Sequence, residues 1–97
     1  MILEAAYLII RPDADLNSFE ADFKAAGQYI SSIKGYIRHS LQRCLEAPNK
    51  YLLLVQWEKL EDHTIGFRQS PAYQNWKALL HHYYEPFPQV EHFVEVT

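Results

Sequence analysis

The spacing of hydrophobic residues changes along the chain, and each change predicts a new element. Residues 2–11 are rich in Ile, Leu and Tyr and predict a strand, which the Pro12–Asp15 segment ends. Over Leu16–Ile33 the apolar residues recur every three or four positions, which is typical of a helix with one buried side. Gly35 follows as a stop signal, because glycine is common just beyond helix ends.

Short polar side chains mark the predicted helix starts. Asp15 or Asn17 can cap the first helix, and Asn17 with Glu20 has the spacing of a capping box. Ser70 followed by Pro71 marks a later start, because proline fits the first helical position. These signals predict a helix on each side of a central pair of strands.

The segment between the two helices predicts a β-hairpin. Tyr36–Leu45 alternates in polarity, with Ile37, His39 and Leu41 on one side, which is typical of a half-buried strand. A turn that contains proline leads into the apolar strand Tyr51–Glu58.

The last third of the chain predicts two helices and a strand. Leu60–Arg68 predicts a short helix, and the helix that opens at Pro71 keeps helical spacing as far as Tyr83. Two prolines end it, and Val90–Val96 predicts the final strand. The element order is therefore βαββαβ, with the second helix split in two.

This order predicts one α+β domain over residues 1–97, with the ferredoxin-like fold and an antiparallel four-stranded sheet. In that topology the first and third strands are central, and the second and fourth lie at the edges. The first strand is apolar on both faces, and helices cover only one of them. A second copy of the chain is the simplest cover for the other face, so we predict a homodimer with its sheets packed face to face.

Composition and charge exclude several classes of protein. Nine Lys and Arg against twelve Asp and Glu give a net charge of −3 without a basic cluster, so we expect no nucleic-acid partner. The apolar N-terminus is too short to span a bilayer and has no positively charged start, so we expect no membrane association. The single cysteine, Cys44, rules out an internal disulfide and fits the reducing cytoplasm.

Several short motifs follow one another from the end of the first helix to the last strand. They are Gly35-Tyr36, the Arg43–Trp57 hairpin, Trp57-Glu58, the run 63–68, Ser70-Pro71 and the segment 85–88. With the predicted fold, they resemble antibiotic biosynthesis monooxygenase (ABM) domains of the dimeric α+β barrel superfamily. The resemblance implies a pocket between sheet and helices. Some members oxidise aromatic polyketides to quinones with O₂ and without metal or flavin, others degrade haem or oxidise signalling quinols, and many have no known activity.

The resemblance also assigns pocket positions residue by residue. Quinone-forming members use an Asn, a Trp, a Tyr and an Arg, and these positions fall on Leu53, Trp57, His63 and near Lys77. Haem-degrading members need a Trp and a His, which fall on Phe67 and Lys77, and an Asn on a first strand that has none here. The chain therefore departs from both groups, and His63 in the place of a tyrosine is its distinctive residue.

Cofactor-free oxygenation needs a base that removes a phenolic proton and a pocket that excludes water. Histidine suits this role at neutral pH, so His63 is the candidate base, and Trp57 is a candidate to stack on an aromatic substrate. The other candidate substrate-binding residues are Tyr73, Trp76, Phe67, His39 and Lys77.

Each candidate also has a structural alternative. His63 fits a polar helix surface, Trp57 fits packing, and the aromatic residues of the last helix fall at core spacing. His39 shares the apolar side of its strand, and Lys77 fits a solvated position. Adjacent residues such as His81 and His82 point roughly 100° apart on a helix and do not share an ion, so we expect no metal and no other cofactor.

Three functions remain open at this stage. The first is a cofactor-independent monooxygenase that acts on an aromatic or quinol-like small molecule. The second is a non-catalytic small-molecule-binding or assembly domain of the same dimeric fold. The third is a structural dimer whose pocket is filled by its own side chains.

Overall fold

Four strands and two α-helices make up the chain in the computed structural model, which describes all 97 residues. In chain order they are β1 (Ile2–Ile9), α1 (Leu16–Ile30), β2 (Tyr36–Arg43), β3 (Lys50–Trp57), α2 (Pro71–Leu80) and β4 (Val90–Phe93). A π-helical segment, Asp62–Phe67, lies between β3 and α2 where the short helix was predicted.

The sheet has the predicted topology. Its strands are antiparallel and lie in the order β2-β3-β1-β4, so β1 and β3 are central. Alternate residues of β3 are buried, because one face of the sheet packs on the helices. This arrangement confirms the α+β ferredoxin-like fold.

Both helix starts are capped by short polar side chains. Asp15 Oδ2 accepts a hydrogen bond of 3.0 Å from Ser18 N, so Asp15 is the cap of α1 and the capping box of Asn17 is not formed. Ser70 Oγ accepts one of 3.1 Å from Tyr73 N, with proline at the first position of α2, as predicted.

The predicted alternation of β2 was wrong at its start. A bulge between Tyr36 and Arg38 places two residues opposite one, and Ile37 is left 41% exposed. Tyr36 takes the inward position instead, paired with Trp57, and His39 pairs with Val55 on the same face.

Two element ends also differ from prediction. Helix α2 stops at Leu80, and the chain then turns so that Tyr83 and Tyr84 are buried beside β1. The backbone N–H of Arg11 donates to the Tyr83 carbonyl at 2.8 Å, which fixes this turn. Strand β4 keeps only four residues, because pairing with β1 ends at Phe93.

The second face of the sheet carries no helix. We call it the open face. Tyr7 lies at its centre with 57% of its surface exposed, and Lys50 sits over the Tyr7 ring at 4.3 Å. The other apolar side chains of the open face are Leu3, Ala5, Ile9, Leu52, Leu54 and Phe93. No helix of the protein has the length and apolar character needed to cross a bilayer.

Gly35 is the position where the backbone most strictly requires glycine. Its φ is +90°, and a Cβ there would lie 1.9 Å from Asp62 Oδ2. We expect Gly35→Ala to lower the free energy of unfolding by about 2 kcal/mol or more, because it adds backbone strain and a clash. Urea denaturation monitored by tryptophan fluorescence measures the change.

Gly66→Ala is the matched control for this substitution. A Cβ at Gly66 meets its nearest atom at 3.7 Å, and its φ is not positive. We expect a change within about 1 kcal/mol. Equal losses in the two variants would contradict the assigned role of Gly35.

Candidate functional site

A cavity of about 340 Å³ lies between the helix-facing side of the sheet and the helical layer. Most of its lining is apolar or aromatic. Four groups that carry or accept charge also line it, namely Glu4, His63, Arg68 and His81. An apolar cavity with a few convergent polar groups is the usual form of a small-molecule site.

Glu4 is the only carboxylate in the cavity lining. It pairs with Val55 across the β1–β3 ladder, so its side chain points toward the helices and is 4% exposed. The indole N–H of Trp57 donates to Glu4 Oε1 at 2.9 Å. Burial raises the pKa of Glu4 to about 7, although the Trp57 hydrogen bond and the Arg68 charge act in the opposite direction.

His63 lies beside this carboxyl group and is 3% exposed. Its Nε2 is 3.5 Å from Glu4 Oε1, and its ring stacks on the Trp57 indole with centroids 5.6 Å apart and planes at 19°. Its Nδ1 is 2.8 Å from His92 Nε2. Burial, together with the nearby Arg68 and His92, lowers the pKa of His63 to about 3.

The two shifts together favour an uncharged pair. The pKa of Glu4 is raised and that of His63 is lowered, so burial disfavours the charged form of both groups. The distance of 3.5 Å between Nε2 and Oε1 is longer than a normal hydrogen bond, which fits a pair without a full ionic bond. Glu4 therefore has the pKa of an acid–base group that works near pH 7.

The π-helical segment explains how Arg68 reaches the site. The N–H of Arg68 donates to the His63 carbonyl at 3.2 Å, five residues back, so the wide turn places both residues beside the cavity. The Arg68 guanidinium makes no ion pair with a carboxylate. It is therefore available to an anionic group inside the cavity.

Aromatic side chains form the remaining walls. The Phe67 ring meets Tyr73 edge to face at 5.1 Å and Trp76 at 5.7 Å, and all three line the cavity. Tyr84 is also buried there, and burial raises its pKa. His81 completes this wall, and burial and the Lys77 charge lower its pKa.

The structure does not bring all predicted site residues together. His39 lies outside the cavity lining, with Nδ1 2.5 Å from the Tyr36 hydroxyl and its ring against Phe23. Lys77 is exposed on α2 and also lies outside the lining. Trp57 is fully buried and reaches the site through its bond to Glu4.

Comparison with known proteins decides the family. The family model of antibiotic biosynthesis monooxygenases matches residues 1–79. The chain belongs to this family.

Two relatives show how far the likeness extends. The uncharacterized protein YczJ of Bacillus subtilis (strain 168) is 57% identical over 96 residues, which cover 99% of this chain and 100% of YczJ. A crystal structure of a Bordetella bronchiseptica protein assigned to the antibiotic biosynthesis monooxygenases has a TM-score of 0.92 and 33% identity, over 99% of this chain and 97% of that one.

A third structure shares the fold at low identity. SnoaB, a cofactor-independent oxygenase from Streptomyces nogalater, has a TM-score of 0.81 and 16% identity, over 99% of this chain and 93% of SnoaB. This ABM chain thus keeps the architecture of the oxygenase while most of its side chains differ.

The polar residues of this ABM domain do not form a metal centre. No group of three or more His, Cys, Asp or Glu side chains is arranged to hold a metal ion. Glu4 and His92 approach different nitrogens of the His63 ring, so the three side chains do not converge on one point.

Sequence reasoning missed three residues of the site, namely Glu4, Arg68 and His92. Glu4 is the one charged residue in the otherwise apolar β1, and it shares its face with Ala6 and Leu8. Its position in the alternation of inward-facing and outward-facing residues along β1 is the signal that could have marked it as buried. Arg68 and His92 gave no such signal, because their positions depend on a π-helical turn and on the register of β4.

Glu4 makes stability depend on pH in a defined direction. Its pKa is about 7 in the folded protein against an ordinary value of 4.5, so its contribution is fully present below pH 4.5 and is lost as pH rises through 7. We expect the free energy of unfolding of the wild type, relative to Glu4→Gln, to fall by roughly 3 kcal/mol over this range. Urea denaturation at a series of pH values measures it.

Two features make the comparison of the wild type with Glu4→Gln specific for the ionisation of Glu4. The lowered pKa of His63 acts in the opposite direction, with stability lost as pH falls from 6.5 toward 3, but His63 is present in both proteins. Asp13→Asn removes an exposed carboxylate from the loop after β1 and controls for the loss of one charge. A difference between wild type and Glu4→Gln that stays constant with pH would contradict the burial of an ionisable Glu4.

Proposed function

We propose that this ABM domain is a cofactor-independent monooxygenase that acts on an aromatic or quinol-like small molecule. The observation that carries the proposal is the Glu4 carboxyl group, which lines the cavity, accepts a hydrogen bond from Trp57 and has a pKa of about 7. A base with this pKa is suited to removing a phenolic or activated C–H proton at neutral pH.

The proposed reaction begins with proton transfer to Glu4. The substrate anion then donates electrons to O₂, a C–O bond forms, and the O–O bond breaks as water leaves. For a ring CH₂ group that becomes a carbonyl, one oxygen atom enters the product and the other leaves as water with both hydrogens. O₂ is the oxidant, so the balance needs no further co-reactant.

The cavity supplies the other requirements of this step. Arg68 lines it without an acidic partner, so its guanidinium is available to stabilise the substrate anion. Phe67, Tyr73 and Trp76 provide flat walls that pack on an aromatic ring and exclude water.

His63 acts in this proposal as the partner of Glu4. Its lowered pKa makes it a weaker base than the carboxylate beside it. Its Nε2 faces Glu4 Oε1 and its ring is fixed on Trp57, so it holds the carboxyl group in place. His63 and Trp57 thus remain proposed members of the catalytic site, with Glu4 added.

A non-catalytic small-molecule-binding or assembly domain is the second candidate function. Leu53 lines the cavity at the position where the resemblance to quinone-forming members places an asparagine. The loss of that polar group favours binding of an apolar ligand without turnover.

We also propose that the active form is a homodimer joined through the open face. Tyr7, Leu54 and Phe93 lie on this face without a helix to cover them. Burial of such a surface by a second copy is favoured by about 25 cal/mol per Å² of apolar area.

Oxygen uptake on a panel of anthrones and quinols tests the proposed reaction. We expect Glu4→Gln to lower kcat by roughly 10²- to 10⁴-fold, since the amide still accepts the Trp57 hydrogen bond but takes no proton. With ¹⁸O₂, we expect one labelled oxygen in the product and one in water.

Asp13→Asn, which changes an exposed loop carboxylate away from both the cavity and the open face, again serves as the control and should retain wild-type turnover. In the wild type kcat/KM should rise with pH through about 7, as Glu4 ionises. Ligand binding without oxygen uptake on the whole panel would favour the second function, and unchanged turnover in Glu4→Gln would show that another group is the base.

Analytical ultracentrifugation tests the dimer. We expect the wild-type protein to sediment with twice the mass of one chain. The Tyr7→Glu variant should shift toward the monomer, because dimerisation would bury its new carboxylate in the apolar open face. Ile65→Glu is the matched control, since Ile65 is 52% exposed on the helical side and should leave the dimer intact. A wild-type chain that is monomeric at micromolar concentration would remove this proposal.

A further inference from the structure

Three polar side chains follow one another away from the cavity, starting at Glu4, with a first step longer than a normal hydrogen bond and a second within hydrogen-bond distance. Glu4 and His92 are directly opposite each other in the β1–β4 ladder, and the His63 ring contacts both. Glu4 Oε1 is 3.5 Å from His63 Nε2, and His63 Nδ1 is 2.8 Å from His92 Nε2. Glu4 and His63 are buried, whereas His92 is partly exposed on an edge strand.

We propose that Glu4, His63 and His92 form a proton relay that exchanges the proton of the buried carboxyl group with solvent at strand β4. The inference rests on the proposed acid–base role of Glu4. It adds His92 to the site as a residue that acts through His63 and does not touch the substrate.

The neighbours of Glu4 leave His63 as the only other proton carrier. The Trp57 indole N–H donates a hydrogen bond but has no lone pair to accept a proton, and the Arg68 guanidinium stays protonated. The imidazole of His63 accepts a proton on one nitrogen and releases one from the other. A bound aromatic substrate would block the cavity, so the relay supplies the remaining route to water.

Each transfer balances without a lasting charge on either ring. The Glu4 proton passes to His63 Nε2, the His63 Nδ1 proton passes to His92 Nε2, and the His92 Nδ1 proton passes to water. Reversal of the same steps protonates Glu4. Arg68 is the one fixed charge that acts on all three groups, and together with burial it disfavours imidazolium at both histidines, which suits concerted transfer between neutral rings.

The end states of the relay differ in tautomer, and this difference is measurable. When Glu4 is protonated, its O–H points to a bare His63 Nε2, so both histidines carry their proton on Nδ1. When Glu4 is ionised, it accepts from His63 Nε2–H, and His92 Nε2–H donates to His63 Nδ1. Both rings should therefore change tautomer together as Glu4 titrates.

Nitrogen-15 NMR of the imidazole rings, recorded across a pH titration of the full-length protein, tests this relay. In the wild type we expect His63 and His92 to switch tautomer with the same midpoint as the Glu4 side-chain carboxyl carbon. Glu4→Gln should lose the switch in both rings. His82→Gln, which alters an exposed histidine outside the cavity, should keep it.

A His92 ring that keeps one tautomer throughout the Glu4 titration would overturn the relay. A switch that persists in Glu4→Gln would overturn it as well. This result is independent of turnover. A coupled switch without oxygen uptake would contradict the proposed monooxygenase alone, and turnover without a coupled switch would contradict the relay alone.

Discussion

The hydrogen bond from the Trp57 indole to Glu4 is the interaction on which the rest of the site depends. Trp57 is fully buried at the end of β3, and its N–H satisfies a carboxyl group that would otherwise be unpaired in an apolar interior. The same indole stacks on His63 and meets Tyr36 edge to face, so one side chain ties β1, β2 and the π-helical segment to β3. The remaining cost of burial is seen in the raised pKa of Glu4, on which the proposed acid–base role of this carboxyl group depends.

The features of this fold that depend on neighbours in the chain were predictable from the sequence, whereas those that depend on tertiary packing were not. The spacing of apolar residues, the helix caps and the turn residues were enough to predict the element order and the Ser70 cap, because these features depend on neighbours in the chain. The ferredoxin-like element order in turn predicted that β1 and β3 are central. The same signals failed at Ile37, where a bulge changes the side-chain alternation, and at the end of α2, where the bridge between Tyr84 and Ile10 overrides helical spacing. The helices and strands were therefore predicted in the correct order, and their ends differ from the structure by a few residues.

The candidate site was only partly predictable for the same reason. Tyr73 and Trp76 follow from the spacing of the predicted last helix, Phe67 follows from the resemblance to ABM domains, and all three line the cavity. The polar half of the site combines side chains from β1, β4 and a π-helical turn, and no local pattern joins Glu4, Arg68 and His92. His39 shows the converse, since its strand position is inward but the cavity lies elsewhere.

The short pairing of β4 with β1 has a consequence for how the domain becomes functional. Only four residues fix this edge strand, and His92 meets Glu4 in a single register. A slip of one residue would turn His92 to the opposite side of the sheet and bring Glu91 or Phe93 beside the buried carboxyl group. In the proposed relay, proton exchange therefore depends on correct assembly of the last strand, and a molecule with an intact core but a slipped C-terminal edge would lack it.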